Sequence, residues 1–350
     1  MTSPRVVVVG TDGPAAELVA SFQRLGAEVT VLDAGVDPAE VIERVRPDHV
    51  MRTVDPADVD REGLRRLAAD ELGLPTAPFW FAGSVAELTA ITDHTGFPLV
   101  VKPLAALPGE GQSVLLRPDD IEPAWQRART TGGPDRVLVE TVVEIDHEIT
   151  VLTVRGADGV LTFCEAIGHR QVASGPTAES DTVLEAWQPQ LMSQIAVDAA
   201  RSIAARVVNA LGGRGVFGVE LLVRGDEVYF SDVTARPPDT GLVTLRSQRL
   251  SMFDLHARAT LGLPVDSIMV SPAAAEVVYG GAATGDSANW EADILAAALS
   301  VPESDVRVFP RPAGRLARRP VGVALATGPD VTTARDRVRQ MSGALRKSWS

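Results

Sequence analysis

Residues 215–241 read GVFGVELLVRGDEVYFSDVTARPPDTG. Two apolar runs meet at Gly225-Asp226, a turn-forming pair, so the segment reads as a β-hairpin. With the three-residue connection Gly225-Asp226-Glu227, Arg224 faces Val228 and Glu220 faces Asp232. Directly opposed side chains have Cβ atoms about 5 Å apart, which puts both carboxylates on one face. Like charges opposed in an apolar hairpin are unfavourable unless something neutralises them. A divalent cation does so, and two carboxylates with nucleotide phosphates suit magnesium. The competing reading is two edge-strand carboxylates pointing at water.

Working outward, LVVKP (99–103) carries Lys102 out of a buried strand towards the glycine-containing loop LPGEGQ (107–112). A point charge beside backbone N–H groups suits phosphate, although an ordinary strand end and turn has the same appearance. LVETVVEIDHE (138–148) is a strand that becomes an acidic connector. Its backbone offers donors and acceptors to a purine edge and Glu148 offers a carboxylate to ribose hydroxyls; the plainer reading is a solvated turn. GHRQ (168–171) places His169-Arg170 just ahead of residues 171–186. Those residues are polar and aperiodic and read as a flexible loop where substrate could lie, with His169 a simple turn residue as the alternative.

The rest of the chain frames these segments as an α/β protein. RVVVVG (5–10), a helical pattern from Ala15 to Leu25, EVTVLD, a second helical stretch (38–46) and PDHVMRTV predict a small β-α-β-α-β domain over 1–60. DREGLRRLAADELGLPT (60–76) reads as a helix stopped by Gly73 and Pro75. A two-lobed body follows over 61–264, its smaller lobe at 76–140. A long helix is expected over 189–211, and LGLP (261–264) marks the boundary of a C-terminal α/β module, 265–350.

Composition excludes several classes. The 350 residues hold 33 basic and 46 acidic side chains, a formal charge of −13, which argues against a general nucleic-acid binder. No run approaches the ~18 consecutive apolar residues of a membrane span, and no signal-peptide layout opens the chain, so a cytoplasmic protein is expected. The one cysteine, Cys164, excludes an internal disulfide framework and reads as packed rather than reactive. Charge is uneven: residues 306–350 hold ten lysines and arginines against two aspartates, +8 locally, leaving −21 for residues 1–305. Arg307, Arg311, Arg315, Arg318 and Arg319 form either a solvated basic surface or a pocket for phosphate or carboxylate.

Taken together, REGLRRLAADELGLPT, FPLVVKP, GEGQ, RVLVETVV, HEITVLTV, GHRQ, WQPQ, the 215–241 hairpin, RPPDTGLVTL and GVALAT resemble the ATP-grasp superfamily. Within it they resemble the formate-dependent phosphoribosylglycinamide formyltransferases of purine synthesis. The resemblance covers nearly everything from Arg61 onward. It implies a Rossmann-like N-terminal domain, an ATP-grasp body, and ATP contacts from Arg61, Lys102, the 107–112 loop (Gly109, Gly111, Gln112), Glu140 to Val143, and Glu148. It implies magnesium on Glu220 and Asp232, acceptor chemistry at Arg236 and Asp239, and Arg311, Arg318 and Arg319 around an acceptor phosphate. It also implies phosphorylation of formate by ATP, attack by an acceptor amine, and a homodimer.

Several positions depart from that pattern. Thr11-Asp12-Gly13-Pro14 stands where the family has a Gly-Glu-Leu-Gly turn, and MRTVDPADVDREG (51–63) runs almost directly into the ATP-grasp helix, which shortens the N-terminal domain. Leu107, Pro108 and Glu110 replace the usual serines and lysine, Asp232 replaces a glutamate, and the stretch between GHRQ and WQPQ is longer. Three readings follow: an ATP-grasp enzyme that acylates some other amine, an authentic glycinamide ribonucleotide formyltransferase, or a nucleotide-binding regulator without catalysis.

Overall fold

Val6, Val7, Val8 and Val9 are fully buried, so the strand Arg5–Val9 lies in the centre of a sheet rather than at its edge. In the computed structural model, Glu28–Leu32 and His49–Arg52 flank it in parallel, with helices Ala15–Arg24 and Ala39–Val45 as the connections. This is the expected β-α-β-α-β order. The structure describes all residues except 1–2, 12, 34–35, 54–59, 105–110, 130–134, 174–181, 281–291, 310–318 and 346–350.

The chain divides into two compact units, one of residues 1–54, 147–220 and 233–350, the other of residues 55–146 and 221–232. The hairpin Gly215–Arg224/Glu227–Thr234 has its base in the first and its tip in the second.

In the second unit four antiparallel strands run in the order Phe79–Ala82, Val137–Thr141, Leu99–Pro103, Ser113–Leu115. Helices Val85–Thr95 and Ile121–Arg129 cover one face through a core that includes Leu88, Leu99, Val101, Leu115, Trp125 and Val139. Strand residues alternate between faces, so burying Leu99, Val101 and Val139 sends Lys102 and Glu140 to the other side. The helix expected over 60–76 is Arg61–Arg66 followed by the π-helical turn Leu67–Glu71. Asp60 caps its start by accepting from the Gly63 N–H at 2.7 Å.

In the first unit the main sheet runs His147–Arg155, Ile167–Ala173, Thr182–Gln188, Ala273–Gly280, Arg319–Thr327, Ser304–Val308. Leu161–Phe163 adds to His147–Arg155 as the expected hairpin. Two expectations change here. Residues 171–186 are not one loop, because Ile167–Ala173 and Thr182–Gln188 pair antiparallel, Arg170 opposite Glu185; residues 174–181 lie outside the described residues. Every side chain from Val183 to Gln188 is buried, so this central strand has no polar/apolar alternation to read. The C-terminal strands, in turn, extend this sheet through Thr182–Gln188 rather than forming a sheet of their own. The long helix begins at Gln194, where Ser193 Oγ accepts from Ala196 N–H, five residues later than expected.

Candidate nucleotide and metal site

Parity and pairing assemble a charged cluster in the unit of residues 55–146 and 221–232. Glu140 lies opposite Val100 on one neighbouring strand and Phe79 on the other, and Lys102 lies opposite Leu138. Lys102 and Glu140 are therefore diagonal neighbours on one face, and the Lys102 ammonium is 2.6 Å from Glu140 Oε2. Glu140 is 5% exposed and its Oε1 pairs with the buried guanidinium of Arg65. Burial lowers Arg65 to about 10, which still leaves it cationic at neutral pH. Arg61, one helical turn before Arg65, donates from Nη1 to Asp232 Oδ2 at 2.6 Å.

The hairpin that carries Asp232 differs from expectation. Its connection is the two residues Gly225-Asp226, with Glu227 already in the strand. Gly225 takes φ +57, a left-handed backbone natural to glycine at the first position of such a turn, and its N–H donates to Asp146 Oδ2 at 2.7 Å. Burial on Glu227–Thr234 also shifts, from Val228 and Phe230 to Val233, across the half-buried Ser231 and Asp232.

Asp232 fits a cation on an observation of its own: a half-buried carboxylate, 26% exposed, already draws a guanidinium to it. Its oxygen donor, like that of the half-buried Glu220 on Gly215–Arg224, is the hard type that magnesium takes. Among the described residues there is no group of three or more metal-ligating side chains, so phosphate oxygens would have to complete a shell.

The other unit holds Glu148, His169, Arg170, Arg236 and Asp239. His169 lies opposite Glu148, with its Nδ1 3.9 Å from Glu148 Oε2. It is not a turn residue: it sits within a strand, and burial lowers it to about 4, so it is neutral. Its Nε2 finds no hydrogen-bond partner among the described residues. Arg170, expected beside it at the substrate, points to the opposite sheet face, because neighbouring strand residues do so. There its Nε donates to Glu185 Oε2 at 2.7 Å. Asp239 opens the short helix Asp239–Val243 and accepts from the Tyr279 hydroxyl at 3.0 Å. Arg236 Nη1 reaches the Pro237 carbonyl at 3.4 Å. Cys164 is buried, and burial raises its thiol to about 11, which leaves it unreactive.

The ATP-grasp domain family matches residues 67–253, more than half of the chain. The chain belongs to the ATP-grasp family. The PurT C-terminal family matches residues 273–345 of this ATP-grasp chain. The formate-dependent phosphoribosylglycinamide formyltransferase of Rhodococcus jostii (strain RHA1) is 43% identical over 392 residues, 97% of this chain and 94% of its own length. The enzyme of the same name from Corynebacterium glutamicum (strain R) is 42% identical, covering 98% and 94%. Among solved structures, glycinamide-RNase-transformylase T from Mycobacterium tuberculosis is 42% identical with a TM-score of 0.77, over 97% of this chain and 99% of that one. A carboxyaminoimidazole ribonucleotide synthase from Aspergillus clavatus complexed with ATP, 23% identical with a TM-score of 0.78 over 99% of both chains, shares the fold.

For this ATP-grasp chain, sequence reasoning missed three side chains. Arg65 carries a weak signal, an arginine four residues after Arg61 on a helix. Tyr279, partner of Asp239, sits in an apolar strand with nothing to mark it. Glu185 is 2% exposed and meets Arg170, Arg335 and Arg339. Its signal is an acid inside TVLEAWQ together with arginines at i and i+4 of the helix Val331–Leu345. The first turn after Arg5–Val9 is also explained: a Cβ on Gly13 would lie 2.1 Å from Phe309 Cβ, so only glycine fits beneath that ring. Gly109, Glu110, Arg311, Arg318 and the Arg319 side chain lie outside the described residues, whereas Gly111, at φ +67, and Gln112 are within them.

Proposed function

We propose that this enzyme uses ATP and Mg2+ to activate formate and passes the formyl group to a primary amine, with glycinamide ribonucleotide as the acceptor to test first. The observation that carries this is 43% identity along 97% of the chain to an enzyme named for that reaction. A formate oxygen takes the γ-phosphoryl group, ADP leaves, and the amine nitrogen attacks the formyl carbon of the formyl phosphate. Phosphate then leaves and the nitrogen loses a proton. No protein nucleophile is needed, only positioning and charge stabilisation.

Lys102, Arg61, Gly111, Gln112, Glu140, Val143 and Glu148 are the proposed nucleotide contacts. Lys102 brings a point charge to phosphate while Glu140 holds its ammonium in place. Magnesium, when bound by Glu220 and Asp232 with phosphate oxygens, would offset charge on the transferring group. Arg236, Asp239 and His169 are proposed at the acceptor end, with Arg311, Arg318 and Arg319 taking its phosphate. Segments 1–60, 61–264 and 265–350 are the corresponding shortened pre-ATP-grasp domain, ATP-grasp domain and substrate-side C-terminal module. The working state is a cytoplasmic homodimer, which sedimentation of the purified protein tests. Among the described residues no helix is long and apolar enough to cross a membrane.

The test is ADP release by purified protein with MgATP. Turnover that requires both formate and glycinamide ribonucleotide supports the proposal. Turnover that requires a different amine, or ATP binding without turnover, contradicts it. Glu220→Gln is expected to raise the Mg2+ concentration for half-maximal rate by about tenfold, a typical loss for a disturbed metal site. An unchanged magnesium profile would remove Glu220 from the metal assignment.

A further inference from the structure

We propose that Arg65 is a positioning residue for MgATP, one buried guanidinium that fixes both the carboxylate beside Lys102 and the strand irregularity that presents Asp232. The inference rests on the reading of Lys102, Glu140 and Asp232 as nucleotide and metal side chains.

Arg65 is 4% exposed and lies with its Cζ 5.2 Å from the centre of the Phe79 ring, the cross-strand neighbour of Glu140. Its Nη2 pairs with Glu140 Oε1, while Glu140 Oε2 takes Lys102. Its Nη1 donates to two carbonyls, Phe230 at 3.1 Å and Ser231 at 3.0 Å. Consecutive carbonyls of a regular strand point in opposite directions, so two that meet one nitrogen mark a local break in the pleat. The break falls immediately before Asp232, at the same place where burial on that strand changes parity. Asp232 is then met by Arg61 from the preceding turn of the same helix.

One planar fork therefore ties two otherwise separate parts of the site. An ammonium at the same place keeps the charge but cannot span a carboxylate and two carbonyls with fixed geometry. Arg65 touches no reacting group in this arrangement. Its effect passes through the orientation of Lys102 and Asp232.

The experiment uses the full chain with Arg65→Lys, and Arg65→Gln combined with Glu140→Gln, in which no buried carboxylate is left short of a partner. Arg65→Lys is expected to raise the KM for MgATP, and the Mg2+ concentration for half-maximal rate, by about 10- to 100-fold, with the KM for formate unchanged. The double variant is expected to show the same split. If both variants lower only the melting temperature, with the ATP and Mg2+ parameters within about twofold of the parent, the inference is overturned. Lys102→Met, measured alongside, separates the two layers. A normal kcat/KM for MgATP in that variant overturns the nucleotide reading and this inference with it. A defect in Lys102→Met but not in Arg65→Lys overturns this inference alone.

Discussion

Replacing Lys102 by methionine is expected to lower kcat/KM for MgATP by about 100- to 1,000-fold, the usual cost of removing one group aimed at developing charge in a dry site. Methionine keeps the aliphatic stem on the strand Leu99–Pro103 and removes only the ammonium. Glu140 loses one partner but keeps the Arg65 guanidinium, so its buried carboxylate is not left unpaired. The Lys102 side chain is 31% exposed, so the fold loses little with its charge. The result to look for is a large kinetic defect with a melting temperature close to the parent's. Steady-state kinetics over a range of MgATP, with thermal melting of the same samples, reads both. An unchanged kcat/KM for MgATP would remove Lys102 from the nucleotide site.

Acidification is expected to weaken the fold between pH 6.5 and 4, beginning above the range in which carboxylates titrate. His256 is 4% exposed; its Nδ1 accepts from the Val216 N–H at 3.1 Å and its Nε2 lies 3.1 Å from Met51 Sδ. Nε2 therefore carries the proton, and a second proton on Nδ1 would set donor against donor. Burial lowers His256 to about 4, and His169 likewise. In the unfolded chain a histidine titrates near 6.5, so below that pH the unfolded state binds protons that the folded state refuses. Stability is then intact above 6.5, falls as pH drops, and levels off below 4. At pH 5 each histidine removes about 2 kcal/mol. Glu185 acts lower on the scale: burial pushes it up, but its bonds from Arg335 and Arg170 outweigh that and hold it below the usual carboxylate range. Its contribution is present above about 4.5 and disappears as pH falls through the lowered value. Urea unfolding at pH 7 and pH 5 measures the difference, and His256→Asn is expected to reduce it by about half. Equal urea midpoints at the two pH values would contradict the neutral burial of both histidines.

How far the sequence alone reaches depends on the range of the interaction that decides each feature. The α/β class, the β-α-β-α-β opening, the hairpin about Gly225-Asp226 and the strand that delivers Lys102 all follow from short-range pattern: buried valine runs, glycine turns, and alternation along four or five residues. The family was equally legible, because its motifs are contiguous and keep their order. What was misread had no local signal. Thr182–Gln188 lies in the middle of a sheet with every side chain from Val183 to Gln188 buried, so it shows none of the alternation that marks a strand. The hairpin connection closed on two residues rather than three, a difference that strand pairing and not the local sequence decides. Arg170 was separated from His169 by side-chain parity once the strand was known. Arg65, Tyr279 and Glu185 became visible only when partners 40 to 165 residues away came within bonding distance. Residue order along the chain therefore determined the fold class and the family. Tertiary packing alone decided which charges neutralise one another, because burial makes an unpaired charge too costly to keep and leaves no trace of its partner in the local sequence.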